Sequence, residues 1–223
     1  MHMDLWLRLD CSAVLVVAPH PDDEVIGCGG LITKCHDLGG KVAIAYLTCS
    51  SAERRREATE ARHRLGAPDA YEMGWEEGHV RVDEASSAQL ARLLEAINPA
   101  RVFVPSADDV HRDHRASIQV LARALATASR TPGEIFEYEG FRPHAEANAY
   151  LDISDVSSRK FKALACYATQ ERLYRLDELV RHLNAYRART TMRRHVAFAE
   201  AFLAMSVDCF LARARSRGAP NPA

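Results

Sequence analysis

The stretch Val14-Leu15-Val16-Val17-Ala18-Pro19-His20-Pro21-Asp22-Asp23-Glu24, running on into Gly27-Cys28-Gly29-Gly30, constrains this chain more than any other. A short apolar run, rich in β-branched residues, stops at an imidazole, two prolines and three acids. The run reads as a buried parallel strand ending in a polar loop, from which a helix departs. Open α/β sheets bind ligands outside the carboxyl ends of their strands, so chemistry is expected in this loop. One His and three carboxylates within His20–Glu24 are donor types that hold metals.

The remaining pattern supports a single α/β domain over 1–223. Strands are expected over 12–18, 41–48, 70–73, 101–104, 134–139 and 149–153, and helices over 25–38, 51–65, 85–97 and 117–128. The first strand, helix and strand form a right-handed βαβ unit. From 158 to about 205 the pattern is helical with a break near Thr169-Gln170, 207–211 reads as a last strand, and the Gly/Pro/Asn-rich tail 216–223 reads as disordered. Gly27, Gly29 and Gly30, costly inside a helix, imply close backbone approach to a neighbouring strand or a ligand.

Composition narrows the function classes. The chain carries 29 basic and 30 acidic residues, a net charge of -1, so no electrostatic footprint for nucleic acid or an anionic membrane exists. No apolar run reaches the ~18 residues of a membrane span, and the start lacks the pattern of a signal peptide. Six cysteines without CxxC spacing read as reduced thiols in a cytoplasmic protein. Neither G-x-G-x-x-G nor G-K-[ST] is present, which argues against dinucleotide or P-loop phosphate binding.

A second strand-end loop, Pro105-Ser106-Ala107-Asp108-Asp109-Val110-His111-Arg112-Asp113-His114, repeats the form of the first. Two imidazoles and one carboxylate complete a catalytic zinc site that leaves a position open for water, and these two loops can supply them if their strands are neighbours. Such a metal makes hydroxide available near neutrality, with a spare carboxylate as general base and a spare His as acid or electrophile. The residues thus point to a metal-assisted hydrolase.

The first loop resembles the signature of the LmbE/PIG-L-like zinc-dependent N-deacetylases, and His111-Arg112-Asp113-His114 resembles their second metal motif. The resemblance runs from about Val14 to Leu211. It implies a Rossmann-like three-layer sandwich with a mostly parallel central sheet, and hydrolysis of an N-acetyl group on a GlcNAc-type amino sugar or its conjugate. It further implies one Zn²⁺ per chain on His20, Asp23 and His114, Asp22 as general base, His111 at the oxyanion or the leaving amine, and Asp113 orienting His111. Arg54, Glu77 and His144 are the candidate substrate-binding residues. Where some members place a carbonyl-polarising tyrosine, this chain has Asp109. The expected partner is a small N-acyl amino sugar or glycoconjugate, and family members often form homo-oligomers.

Plainer roles exist for several of these residues. Asp22 and Glu24 suit the N-terminus of a helix, Glu24 more so than Asp22. Arg54-Arg55-Arg56 suits a solvated helix face. His36, His63, His79, His182 and His195 lack acidic or His company at ligand spacing, and Cys28 reads as a packing residue. Two alternatives stand beside the deacetylase: an amidase acting on another N-acyl conjugate, such as an amino-sugar thiol or a glycosylated antibiotic, and a non-catalytic ligand-binding α/β module. Zn²⁺, Fe²⁺ and Co²⁺ all suit a His/His/Asp donor set.

Overall fold

The computed structural model describes residues 6–218. β1 (Val14–Ala18) lies between β2 (Val42–Thr48) and β4 (Arg101–Pro105) and pairs in parallel with both. Its side chains alternate between two cores. Val14, Val16 and Ala18 join α1 (Asp23–Asp37) and α2 (Ala52–Leu65), whereas Leu15 and Val17 join α3 (Glu84–Ile97) and α4 (Arg112–Thr127). Both faces of the strand are buried, which is why the run shows no polar alternation.

The sheet has seven strands in the order β3-β2-β1-β4-β5-β7-β6, where β3 is Asp69–Trp75, β5 Glu134–Tyr138, β6 Ala149–Asp152 and β7 Ala199–Met205. Only β7 runs against its neighbours. α5 (Ser157–Leu164) and α7 (Leu176–Thr190) cover the α1 face, and α8 (Val207–Gly218) covers the other. The result is the mostly parallel α/β sandwich expected from the sequence. From β1 the chain steps outward to β2 and β3, then returns to lay β4 on the other side of β1. The carboxyl ends of β1 and β4 flank this switch point, so the two polar loops emerge side by side.

Several elements differ from expectation. The helix expected over 117–128 begins at Arg112, because His111 caps it: its Nδ1 accepts the Asp113 N–H at 3.2 Å. Imidazole is not among the usual capping groups, so the start was not legible. Residues 199–205, rich in helix formers, are strand β7, since pairing with β5 and β6 on both sides overrides propensity. Residues 207–211 open α8 instead of forming a strand, and its Phe210 and Ala214 pack on the second core. The helical region breaks at 165–167 and at Arg175 (φ 50), giving α5, the short α6 (Ala168–Tyr174) and α7. Of the tail expected to be disordered, 216–218 are helical; 219–223, like 1–5, lie outside the described residues.

The reading of all cysteines as reduced thiols is corrected. Cys11 and Cys35 form a disulfide with Cα atoms 5.2 Å apart. α1 runs back along β1 and delivers Cys35 beside the segment that precedes the strand, at the end of the sheet away from the loops. Gly40 makes room for it, since a Cβ there would lie 2.3 Å from Cys11 Cβ. The disulfide removes the argument from thiols for a cytoplasmic location. Among the described residues, no helix is long and apolar enough to cross a membrane.

The glycines of α1 admit side chains of the protein itself. A Cβ on Gly27 would lie 2.2 Å from the Tyr138 ring, one on Gly29 2.9 Å from Lys160, and one on Gly30 2.3 Å from Ile153. Through this thinned helix surface a buried ion pair reaches the α1 backbone. Glu200 accepts the Gly30 and Leu31 N–H groups at 2.7 and 2.9 Å, while Lys160 Nζ donates to Glu200 at 2.7 Å and to the Ile26 carbonyl at 2.8 Å. Removing one partner of such a pair strands a buried charge. Lys160→Met is expected to cost about 3–5 kcal/mol, read from urea unfolding.

Candidate functional site

Three donor atoms converge where β1 and β4 end. Asp23 Oδ2 lies 3.2 Å from His20 Nδ1 and 3.2 Å from His114 Nε2. Ligands held ~2.1 Å from one tetrahedral ion stand ~3.4 Å apart, so the spacing fits a single divalent cation. His20 and Asp23 bracket the strand-to-helix turn, and the Asp23 carboxylate also accepts the His20 N–H at 2.9 Å. His114 enters from the first turn of α4. Burial opposes ionisation of Asp23, yet the His114 and His20 imidazoles hold it far below the usual carboxylate range. Burial likewise opposes charge on His114, but Asp23 and Asp109 push it up to about 10.

Each imidazole has a second carboxylate near its far nitrogen; that of His20 is hydrogen-bonded, whereas His114 Nδ1 and Asp109 Oδ2 are both buried without a hydrogen-bond partner. His20 Nε2 meets Asp113 Oδ2 at 3.1 Å, and His114 Nδ1 meets Asp109 Oδ2 at 3.4 Å. His20 Nδ1 and His114 Nε2 are the nitrogens that face Asp23, and a carboxylate on the far nitrogen, as Asp113 is on His20, raises the basicity of an imidazole. Asp113 therefore touches both rings: its carboxylate meets His20 Nε2, and its backbone N–H meets His111 Nδ1. It also accepts the Gly78 and Val80 N–H groups at 2.6 and 3.2 Å, fastening the loop that carries Glu77. Asp109 was noted only as a missing tyrosine. Gly140 leaves it room, since a Cβ there would lie 2.8 Å from Asp109 Oδ2.

Asp22 occupies a backbone conformation that L-residues rarely adopt, with φ 126 and ψ -32, and its side chain makes no cap bond to α1. It is thus aimed at the site and not used by the helix end. Glu24 braces the strained turn by accepting the Asp22 N–H at 3.0 Å, and Tyr167 Oη donates to the other oxygen of Glu24. Arg54 closes the turn from α2: its Nη2 donates to the Pro21 carbonyl and lies 3.4 Å from Asp22 Oδ2. Burial and the adjacent Asp23 raise the Asp22 carboxyl well above its ordinary value, against Arg54. Burial pushes Glu24 up to about 7. Glu24 is thus more than a first-turn acid, and Arg54 is no solvated surface charge.

The ring nitrogens of His20, His111 and His114 lie within 4.8 Å of one another, so His111 is a rival third ligand. Its own hydrogen bond bears on that choice. His111 Nδ1 accepts the Asp113 N–H, so the neutral ring carries its proton on Nε2. Ligation through Nε2 would move that proton to Nδ1, against the amide hydrogen. Burial and the neighbouring His20 and His114 lower the His111 pKa, which favours the neutral ring. His111 therefore presents a hydrogen-bond donor beside the trio.

The trio forms the floor of a cavity of about 300 Å³, at the lower end of ligand-pocket sizes. Arg54 and Glu77 line it, together with Val110, Phe141, Gln170 and Tyr174. His144 does not line it. Its ring sits between the Glu137 carbonyl (2.9 Å) and Ser106 Oγ (3.4 Å), on a separate cavity bordered by Asp108 and Arg213. The backbone of His144 is held by the Glu139–Arg187 ion pair, which leaves its ring behind the second loop, against Ser106, and outside the main cavity. Gln170 and Tyr174 were missed because α6 was not distinguished within the helical region.

With this geometry in place, comparison with known proteins is direct. The sequence model described as "PIG-L: GlcNAc-PI de-N-acetylase" matches residues 15–125, which contain both loops. The chain belongs to the PIG-L family. One PIG-L relative, from Bacillus cereus, is named as a probable N-acetyl-alpha-D-glucosaminyl L-malate deacetylase 2; it is 25% identical over 183 residues, covering 70% of this chain and 83% of its own. Another, from Pseudomonas putida, is named as a 4-oxalmesaconate hydratase and is 27% identical over 227 residues, covering 85% and 87%. Among solved structures, a conserved protein of Thermus thermophilus superposes with a TM-score of 0.76 at 27% identity, covering 86% of this chain and 93% of that one. The names of these relatives thus include both a deacetylase and a hydratase.

Proposed function

We propose that one α/β domain acts here as a zinc-dependent N-deacetylase on an N-acetylglucosamine-type amino sugar or its conjugate, releasing acetate and a free amine. The observation that carries this reading is the convergence of Asp23 Oδ2 with His20 Nδ1 and His114 Nε2 at the cavity floor, with Asp22 alongside. A divalent ion held by these three residues supplies Lewis acidity toward a carbonyl oxygen and toward water. Asp22 removes a proton from the attacking water. The new C–O bond places negative charge on the former carbonyl oxygen, toward which the His111 Nε2–H donates. Asp22 returns the proton to the departing nitrogen as the C–N bond breaks. Asp113 and Asp109 keep the two ligand imidazoles oriented, and Glu77 accepts hydrogen bonds from sugar hydroxyls.

The Pseudomonas putida relative supports a second reading. Hydration of a carbon–carbon double bond would use the same base and the same ion, but would yield neither acetate nor amine. Zinc-loaded protein assayed against N-acetyl amino sugars is expected to release acetate and amine in equal amounts. Hydration of 4-oxalmesaconate, an unsaturated tricarboxylate, without acetate release from any sugar would overturn the deacetylase reading.

A further inference from the structure

The cavity has two unlike parts. Its floor is polar, but its rim exposes apolar side chains. Phe141, in the β5–β6 connection, and Tyr174, at the end of α6, meet edge to face with ring centroids 5.8 Å apart. They are 36% and 55% exposed, and Val110 beside them is 60% exposed. No residue of α6 is buried. The helix is held from outside the cavity, where Glu57 accepts the Thr169 N–H at 2.9 Å and the Thr169 hydroxyl at 2.6 Å. α6 thus contributes a cavity wall and almost nothing to the core.

The charges of the lining point the same way. Among the described residues that line the cavity, Arg54 is the one guanidinium, and it is committed to Asp22 and the Pro21 carbonyl. Asp22, Asp23 and Glu77 are the acids. A carboxylate on the sugar's substituent would find no unpaired guanidinium or ammonium in this lining, and would stand near Glu77. A flat apolar group would find two aromatic faces to cover.

We infer that the substrate carries an uncharged apolar group, an aryl or alkyl substituent on the amino sugar, which packs against Phe141 and Tyr174. This inference rests on the amino-sugar reading and assigns a chemical class to the part of the substrate outside the sugar. It sets the chain apart from its Bacillus cereus relative, whose name specifies a malate conjugate.

The test is isothermal titration of the zinc-loaded protein with three probes: N-acetylglucosamine, its phenyl glycoside and its L-malate conjugate. Acetate release is followed in parallel. The phenyl glycoside is expected to bind about tenfold tighter than the bare sugar, the gain from covering one aryl face. The malate conjugate is expected to bind no tighter than the bare sugar. In Tyr174→Ala and in Phe141→Ala the phenyl-to-bare ratio falls toward one. Both residues are exposed, so the variants keep the core intact. Equal affinities for all three probes, a preference for the malate conjugate, or no binding of any probe would overturn the inference. The expected affinities without acetate release would uphold the apolar subsite and overturn the deacetylase reading instead.

Discussion

Asp23→Ala is expected to abolish stoichiometric metal binding and, with it, turnover. Asp23 is the shared member of the donor set, since the 3.2 Å approaches to His20 and to His114 both end on its Oδ2. Without it, the two imidazoles lose the carboxylate they share, and Asp113 is already hydrogen-bonded to the far nitrogen of His20. Loss of an outer partner of a metal-bound His weakens affinity by about 10–100-fold. Loss of a direct ligand is expected to exceed that, so the variant should emerge from purification without zinc. The readout independent of catalysis is thermal unfolding. Wild type gains stability as zinc is added, by about 2.7 kcal/mol at a free concentration 100 times Kd. The Asp23→Ala curve is expected not to move over the same range. A variant that still shifts with zinc and holds one ion per chain would remove Asp23 from the ligand set and promote His111, the third member of the histidine cluster, in its place.

What the sequence disclosed, and what it did not, follows from how local each feature is. His20, Asp22 and Asp23 were legible because a buried strand, a turn and a helix start are contiguous, so one stretch carries both the fold signal and the chemistry. Asp113 was visible as an acid, but its partner His20 lies 93 residues away and is brought to it only by the pairing of β1 with β4. The same holds for Tyr167 on Glu24, 143 residues apart, and for the disulfide, whose cysteines meet only after α1 doubles back along β1. β7 was read as helix because its residues favour helix locally, while its two strand partners come from distant segments. The cavity rim was hardest to see. An exposed Tyr on a short helix has no periodicity to announce it, and only the tertiary placement of α6 gives it meaning.

Asp22→Asn is expected to lower kcat by roughly 10²–10⁴, the usual weight of a positioned general base, while metal content stays at the wild-type level. Adjacent acids serve different ends here because the backbone separates them. Asp23 is the first residue of α1 and points at the imidazoles, whereas Asp22 stands at φ 126 with its side chain free of the helix end. The amide of asparagine keeps the shape and can still accept from Arg54, so the turn, its Glu24 brace and the Pro21 contact persist. What is lost is a group able to take a proton from water and return it to nitrogen. Because that exchange occurs only along the reaction path, KM should change little compared with kcat. The strained φ gives a second handle. If the conformation is held by Glu24 and Arg54 against its own cost, replacing Asp22 with glycine, which tolerates positive φ, should leave stability equal or higher while activity falls as far as in the asparagine variant. Loss of zinc in Asp22→Asn, instead of loss of rate alone, would make Asp22 a ligand and exchange the roles of the two acids.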